Sequence, residues 1–207
     1  MSNDTAGVPA RSRGYHKYVF DLAGRRMVGD FEQMYRDEDE AGFDSWHERD
    51  LRPLRKTIAL QLLSQYNFNS ILEVGCGKGT LTHLLKRRNN WVLGIDMSET
   101  AIGKAQASYP DIDFRVMTAE QAGDLNEQFD ITLAMGVFAY IEGWKGCLAK
   151  YAAMSTYGLV AEFVPPNPIG FVKSVDELTQ AFDALYVIEN KVVLDDTFCL
   201  LFGKSRK

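Results

Sequence analysis

Apolar and polar positions change period repeatedly along this 207-residue chain, and the changes predict its elements. From Arg52 to Tyr66, Leu54, Ile58, Leu62 and Leu63 recur at helical spacing, with Pro53 tolerable in a first turn. A short apolar strand is expected over Ser70–Val74, then a helix over Thr80–Arg88 with Leu81, Leu84 and Leu85 on one face. The pattern repeats with a strand over Trp91–Asp96, a helix capped by Ser98 and running to Ala107, a strand over Ile112–Met117, and a short helix over Ala119–Asn126. Phe129–Met135 predicts a strand, 140–154 a helix, and Gly158–Phe163 a strand closed by Pro165-Pro166-Asn167-Pro168. Alternation at this spacing implies a parallel sheet with helices on both faces. The tail departs from it: after a helix over Ser174–Ala184, strands Tyr186–Leu194 and Thr197–Gly203 are separated only by Asp195-Asp196, too short for a parallel crossover. The expectation is an α/β, Rossmann-like seven-stranded sheet, mostly parallel with an antiparallel last strand.

The first fifty residues follow neither period. Residues 1–14 are polar and expected to be a disordered tail. In 15–50, Tyr15, Tyr18, Phe20, Phe31, Tyr35, Phe43 and Trp46 are interleaved with Asp37-Glu38-Asp39-Glu40, a composition too irregular for a core strand or a long helix. The segment is expected to be an arm or lid folded over the active site of a domain spanning 51–207, with its acidic run a solvated face.

Composition narrows the classes. At 46% apolar and 25% charged the chain is long enough for one substantial core. A net charge of −5 supplies no general positive field, which argues against a nucleic-acid substrate. Cys76, Cys147 and Cys199 are widely spaced and odd in number, so neither a disulfide framework nor a zinc site is expected, and a reducing, cytoplasmic setting fits. No secretory leader is read at the N-terminus, and the most apolar stretch, Ile131–Ile141, is far short of the roughly 20 residues that span a bilayer.

The chemistry concentrates where the first strand meets its helix, in Glu73-Val74-Gly75-Cys76-Gly77-Lys78-Gly79-Thr80. Backbone amides at such a junction can cradle a ligand, and glycines permit close approach. A dinucleotide fingerprint calls for glycine at position 80, which is Thr, and Gly77-Lys78-Gly79 does not complete a phosphate-binding P-loop. Glu73 is awkward beside a pyrophosphate and suits a ligand bearing an ammonium group.

On these residues the chain resembles the class I S-adenosylmethionine-dependent methyltransferases, whose first motif, acid-x-Gly-x-Gly-x-Gly, is matched by Glu73 to Gly79; the resemblance runs from Ser70 to Gly203. It implies S-adenosyl-L-methionine as cofactor. Glu73, Gly75, Cys76, Gly77 and Gly79 would line its methionine end, Asp96 would accept the ribose hydroxyls, and Met97 would pack on the adenine. Thr118, Ala119 and Glu120 match the adenine-contacting turn, with Thr118 where the family often has an acid, so that Glu120 takes the exocyclic amine instead. Phe129–Met135 matches the fourth-strand motif and places Ala134 and Met135 near the sulfonium. The arm, through Tyr18-Val19-Phe20-Asp21, Gly29-Asp30-Phe31-Glu32 and Phe43-Asp44-Ser45-Trp46, resembles the leaders of small bacterial methyltransferases acting on sugars and other small metabolites, including nodulation-type N-methyltransferases.

Methyl transfer from a sulfonium relies mainly on positioning, and a base helps when the acceptor is a hydroxyl. His47 is the first candidate for that base, Tyr140 a second candidate or an aromatic wall, and Glu162 a third. Arg49, Arg52 and Arg55 precede the first strand, where an arginine can pair with the cofactor's carboxylate; Arg52 is named for that contact. Met135-Gly136 after the fourth strand offers no metal ligands, so no metal is expected. The expected acceptor is a small molecule such as a sugar or saccharide precursor, methylated at N or O. The competing readings are an NAD(P)-dependent oxidoreductase and a non-catalytic cofactor-binding module.

Overall fold

The stretch ahead of the first core strand is regular rather than irregular. The computed structural model describes residues 14–48, 50 and 54–207. Within it the arm forms helix α1 (His16–Val19), a small antiparallel hairpin of β1 (Phe20–Asp21) and β2 (Arg26–Met27), helix α2 (Phe31–Ala41) and a 3-10 turn over Ser45–His47. Helix α2 has both of its ends signalled: the Asp30 side chain caps it by accepting the Gln33 N–H, and Gly42 closes it in the left-handed conformation at φ 67°. Its buried face is Met34, Tyr35 and Glu38, a helical spacing hidden from the sequence pattern because one of the three is a charge. The acidic run is therefore not all solvated: Glu38 is 2% exposed and paired with Lys78 and Lys104.

After the leading helix α3 (Leu54–Leu63), strands β3 (Ser70–Val74), β4 (Trp91–Asp96), β5 (Asp113–Val116), β6 (Phe129–Met135) and β7 (Ser155–Phe163) pair in parallel. Strands β8 (Tyr186–Leu194) and β9 (Phe198–Ser205) complete the sheet in the order β5-β4-β3-β6-β7-β9-β8, with β9 antiparallel to both neighbours. This is the expected seven-stranded sheet with a reversed last strand. The intervening helices are α4 (Thr80–Leu85), α5 (Glu99–Ser108), α6 (Ala119–Ala122), α7 (Trp144–Met154) and α8 (Val175–Asp183). Three are shorter than their apolar pattern suggests. Helix α4 stops at Leu85 because Lys86 turns extended and the Asn90 side chain takes over, accepting the Arg87 N–H and donating to the Leu85 carbonyl. Helix α6 is a single turn held by a Thr118/Gln121 capping box, and α7 starts at Trp144 after a separate 3-10 turn over Phe138–Tyr140.

Successive strand residues point to opposite faces, so Leu72, Val74, Leu93 and Ile95 pack with α7 and α8, while Ile71, Val92, Ile131 and Leu133 pack with α3 and α4. All five parallel strands thus end along one edge, where open α/β sheets place their ligand crevice. The arm reaches that edge by docking on α5. Glu32 accepts from Ser98 Oγ (2.6 Å), Thr100 Oγ1 (2.6 Å) and Thr100 N–H (3.2 Å), and Lys104 Nζ donates to the Tyr35 carbonyl (2.7 Å). Partial burial works against the Glu32 charge, but these donors outweigh it and hold its carboxyl down at about 2.

Replacing Glu32 with Gln should destabilise the docked arm by about 1–2 kcal/mol at neutral pH. Because the docked carboxyl titrates below its ordinary value of 4.5, its contribution is complete above that value and is lost as pH falls toward 2. Urea midpoints of the two proteins should converge across that range.

Candidate functional site

Strand β3 delivers the chain to its glycine loop buried, and the loop is clamped to the neighbouring strand. Gly75 and Cys76 both donate their N–H groups to the Ile95 carbonyl of β4, at 2.8 and 2.9 Å. Gly77 N–H donates to Asp96 Oδ2 (3.0 Å), and Ser98 N–H to Asp96 Oδ1 (2.9 Å). Asp96 therefore sits half-buried at the end of β4, bridging the loop and the start of α5, and burial raises its pKa against the pull of those two amides. Beside it Met97 is 51% exposed, an apolar surface next to a carboxylate.

The loop glycines are needed by protein neighbours as well as by any ligand. Gly77 has φ 54°, and a side chain there would strike Glu48 Oε1 and come within 2.7 Å of the Tyr35 hydroxyl. Gly79 has φ 77°, and a Cβ there would meet Phe114 at 2.6 Å. Sequence reasoning missed both arm residues. The Tyr35 hydroxyl donates to Glu48 Oε1 (3.1 Å), and Lys78 N–H donates to Glu48 Oε2 (2.9 Å). Lys78, noted in the sequence only as failing to complete a P-loop, buries its ammonium on Glu38 (3.0 Å) and Asp44 (2.8 Å). Desolvation opposes that charge, but Glu48, Asp44 and Glu38 outweigh it and raise the lysine's pKa. The signal that could have revealed this contact is a lysine inside a loop that otherwise wants small residues.

The remaining first-motif residues lie inside. Glu73 is buried, accepts from Thr82 Oγ1 of α4 (2.6 Å), and has its carboxyl pushed up to about 8 by desolvation. Cys76 is 5% exposed, and burial pushes its thiol well up. Thr118 and Ala119 are half-buried at the start of α6, the Ala119 carbonyl accepting from Tyr151 OH (2.7 Å), whereas Glu120 is exposed. Ala134 pairs with Val74 and is buried in the core, with Met135 half-buried behind it and Gly136 turning outward at φ 72°. Arg52 and Arg49 lie outside the described residues; Arg55 donates to the Trp46 carbonyl (3.3 Å).

The three candidate bases are placed differently. Tyr140, in the turn after β6, packs among arm aromatics, with ring centroids 5.4 Å from Trp46, 5.4 Å from Phe31 and 5.8 Å from Phe20. Burial, reinforced by nearby Glu162, raises its pKa, so at neutral pH it is a neutral phenol suited to walling a pocket. Glu162 of β7 is buried, accepts the N–H groups of Val137 (2.8 Å) and Phe138 (2.6 Å), and is pushed by burial to about 7; it shapes the turn that carries Tyr140. His47 stands in the 3-10 turn with its ring edge-on to Tyr15 at 6.1 Å. A cavity of about 300 Å³ lies elsewhere, between α3, α4 and the sheet near Leu60, Ser64, Leu84 and Asn90, and holds none of these residues.

Residues 71–156 match a family model described as a methyltransferase domain. That segment, from β3 to the start of β7, is thus similar to methyltransferase domains. Among similar proteins, the ubiquinone biosynthesis O-methyltransferase of Rhizobium rhizogenes (strain K84) is 32% identical over 125 residues, covering 58% of this chain and 47% of that protein. The enzyme of the same name from Brucella ovis is 32% identical over 127 residues, covering 59% and 47%. The chain spans about half the length of these relatives. In solved structures the fold is shared with the N-methyltransferase NodS from Bradyrhizobium japonicum WM9 in complex with S-adenosyl-L-homocysteine, at TM-score 0.68, 16% identity and coverage of 85% of this chain and 98% of that one. It is shared too with a TehB-like SAM-dependent methyltransferase from Corynebacterium glutamicum, at TM-score 0.62, 18% identity and coverage of 90% and 100%.

Gly77→Ala should expel the arm from the loop while leaving the sheet folded, since the added methyl collides with Glu48 and sits at a left-handed φ. A loss of about 1–3 kcal/mol in stability is expected. Limited proteolysis should show cleavage within 15–50 in the variant at protease levels that spare the parent chain.

Proposed function

We propose that this methyltransferase domain binds S-adenosyl-L-methionine across its glycine loop and transfers the methyl group to a small molecule held under the arm. The observation that carries the proposal is the half-buried Asp96 carboxylate, tied to Gly77 and Ser98 and flanked by exposed Met97. An anionic acceptor beside an apolar surface fits a ribose with an attached base. When bound, the cofactor supplies an electrophilic methyl on its sulfonium, already activated for in-line displacement.

The protein's part is then orientation and exclusion of water. Asp96 accepts the ribose hydroxyls, Met97 and the 118–120 turn flank the adenine, and Ala134, Met135 and Gly136 border the reacting carbon. The arm, residues 15–50, acts as the cover. Its Trp46, Phe31 and Phe20 with Tyr140 offer flat apolar faces, which suit an acceptor presenting an aromatic ring or the C–H face of a sugar. Tyr140 is a wall in this reading, and His47 is the group left to take a proton if the acceptor is a hydroxyl. None of the described helices is long and apolar enough to cross a membrane, and three free, buried cysteines support a cytoplasmic setting.

Titration calorimetry with S-adenosylhomocysteine tests the first half: binding is expected, and Asp96→Ala should weaken it at least about tenfold. Binding of NAD(P) in its place would favour the oxidoreductase. Transfer of label from methyl-labelled cofactor into a panel of phenols, amines and saccharides tests the second half and names the atom methylated.

A further inference from the structure

The arm does more at the glycine loop than cover it. It sets one carboxylate, that of Glu48, against the backbone of Gly77 and Lys78, on a residue 7% exposed to solvent. The hydrogen bonds described for that carboxylate come from neutral donors, the Tyr35 phenol and the Lys78 amide, while the Lys78 ammonium acts on it through space and makes its ion pairs with Glu38 and Asp44. The segment that delivers it is strained: Trp46 and His47, immediately before Glu48, have φ of 59° and 51°, a region side-chain-bearing residues rarely adopt. A buried carboxylate whose hydrogen bonds, among the described residues, come from neutral donors, and which a strained backbone holds in place, is costly for a purely structural contact. A cationic ligand group at the same place would offset that cost.

Resting on the cofactor reading above, we propose that Glu48 is a cofactor-binding residue whose carboxylate receives the ammonium of the cofactor's amino-acid end. The arm would then contribute directly to ligand recognition, discriminating in favour of the α-amino group. Tyr35 would share the site by orienting the carboxylate, and the requirement for glycine at 77 would follow from the closeness of Glu48 to the loop.

Proton linkage supports the assignment. Around Glu48 stand Tyr35 of α2, Lys56 of α3, Glu73 of β3, Cys76 and Lys78 of the loop and Asp96 of β4. Burial first, with Asp96 adding to it and Lys78 and Tyr35 opposing, pushes the Glu48 carboxyl up to about 7. At neutral pH a large share of it is protonated, and an arriving ammonium would favour the carboxylate and send that proton to the buffer.

The test compares S-adenosylhomocysteine with its deamino analogue, which keeps the carboxylate, by calorimetry on the full chain. Glu48→Gln should weaken S-adenosylhomocysteine binding about tenfold to a hundredfold and leave the deamino analogue nearly unchanged. For the unaltered protein, heats measured at pH 7 in two buffers of different ionisation enthalpy should show proton release with S-adenosylhomocysteine and not with the analogue, a readout independent of whether the variant folds. Equal weakening of both ligands, tighter binding by the variant, or the same proton release with both would overturn the assignment. Tighter binding would mark Glu48 as a plug that the ligand displaces. Failure of the unaltered chain to bind S-adenosylhomocysteine would instead overturn the cofactor reading, and this inference with it.

Discussion

The structure around the site depends on a buried lysine ammonium inside a glycine loop. Lys78 cannot be left uncompensated at 8% exposure, and its compensation comes from carboxylates that all lie in the arm. Glu38 reaches it from the C-terminal half of α2 and Asp44 from the start of the 3-10 turn, and Lys104 of α5 shares Glu38. A single charge on the loop thereby ties a segment of some thirty residues to the end of the sheet. Breaking one partner of such a cluster leaves a buried ion alone, which costs far more than losing an exposed pair.

The clamp also joins the two sides of the loop. Asp96 and the Gly77 amide meet on the sheet side, while Glu48 and the Lys78 amide meet on the arm side. The loop thus lies between a fixed wall, built by parallel strands, and a docked wall, built by the arm. Aromatic packing of Trp46, Phe31 and Phe20 on Tyr140 continues the docked wall toward the end of β6.

The sheet was legible because its residues repeat at period two or in short apolar runs, and five of the six strands between Ser70 and Leu194 both begin and end within a residue or two of expectation. Asp195-Asp196 announced the hairpin by brevity alone, and both residues adopt positive φ there. Helix lengths were less legible because Asn90 and the Thr118 capping box end or restrict helices through side-chain hydrogen bonds that periodicity does not register. The glycine loop was recognised, yet the neighbours filling the space of its missing side chains, Glu48 and Phe114, come from 29 and 35 residues away or more and leave no local pattern. Helix α2 escaped because Glu38 is buried by ion pairs formed across the fold, so its charge read as solvent-facing.

Strand order and chain order part company at the far side of the sheet, where β9 lies between β7 and β8. Strand β8 leaves the ribosome before the strand it pairs with, and the edge of β7 stays open until Phe198–Ser205 has emerged. The closing step of assembly is therefore an insertion rather than an addition, in which one segment must satisfy two ladders of backbone donors and acceptors together. Nascent chains of this protein would carry an exposed apolar edge up to that moment, the situation in which strand-to-strand association between copies competes with folding.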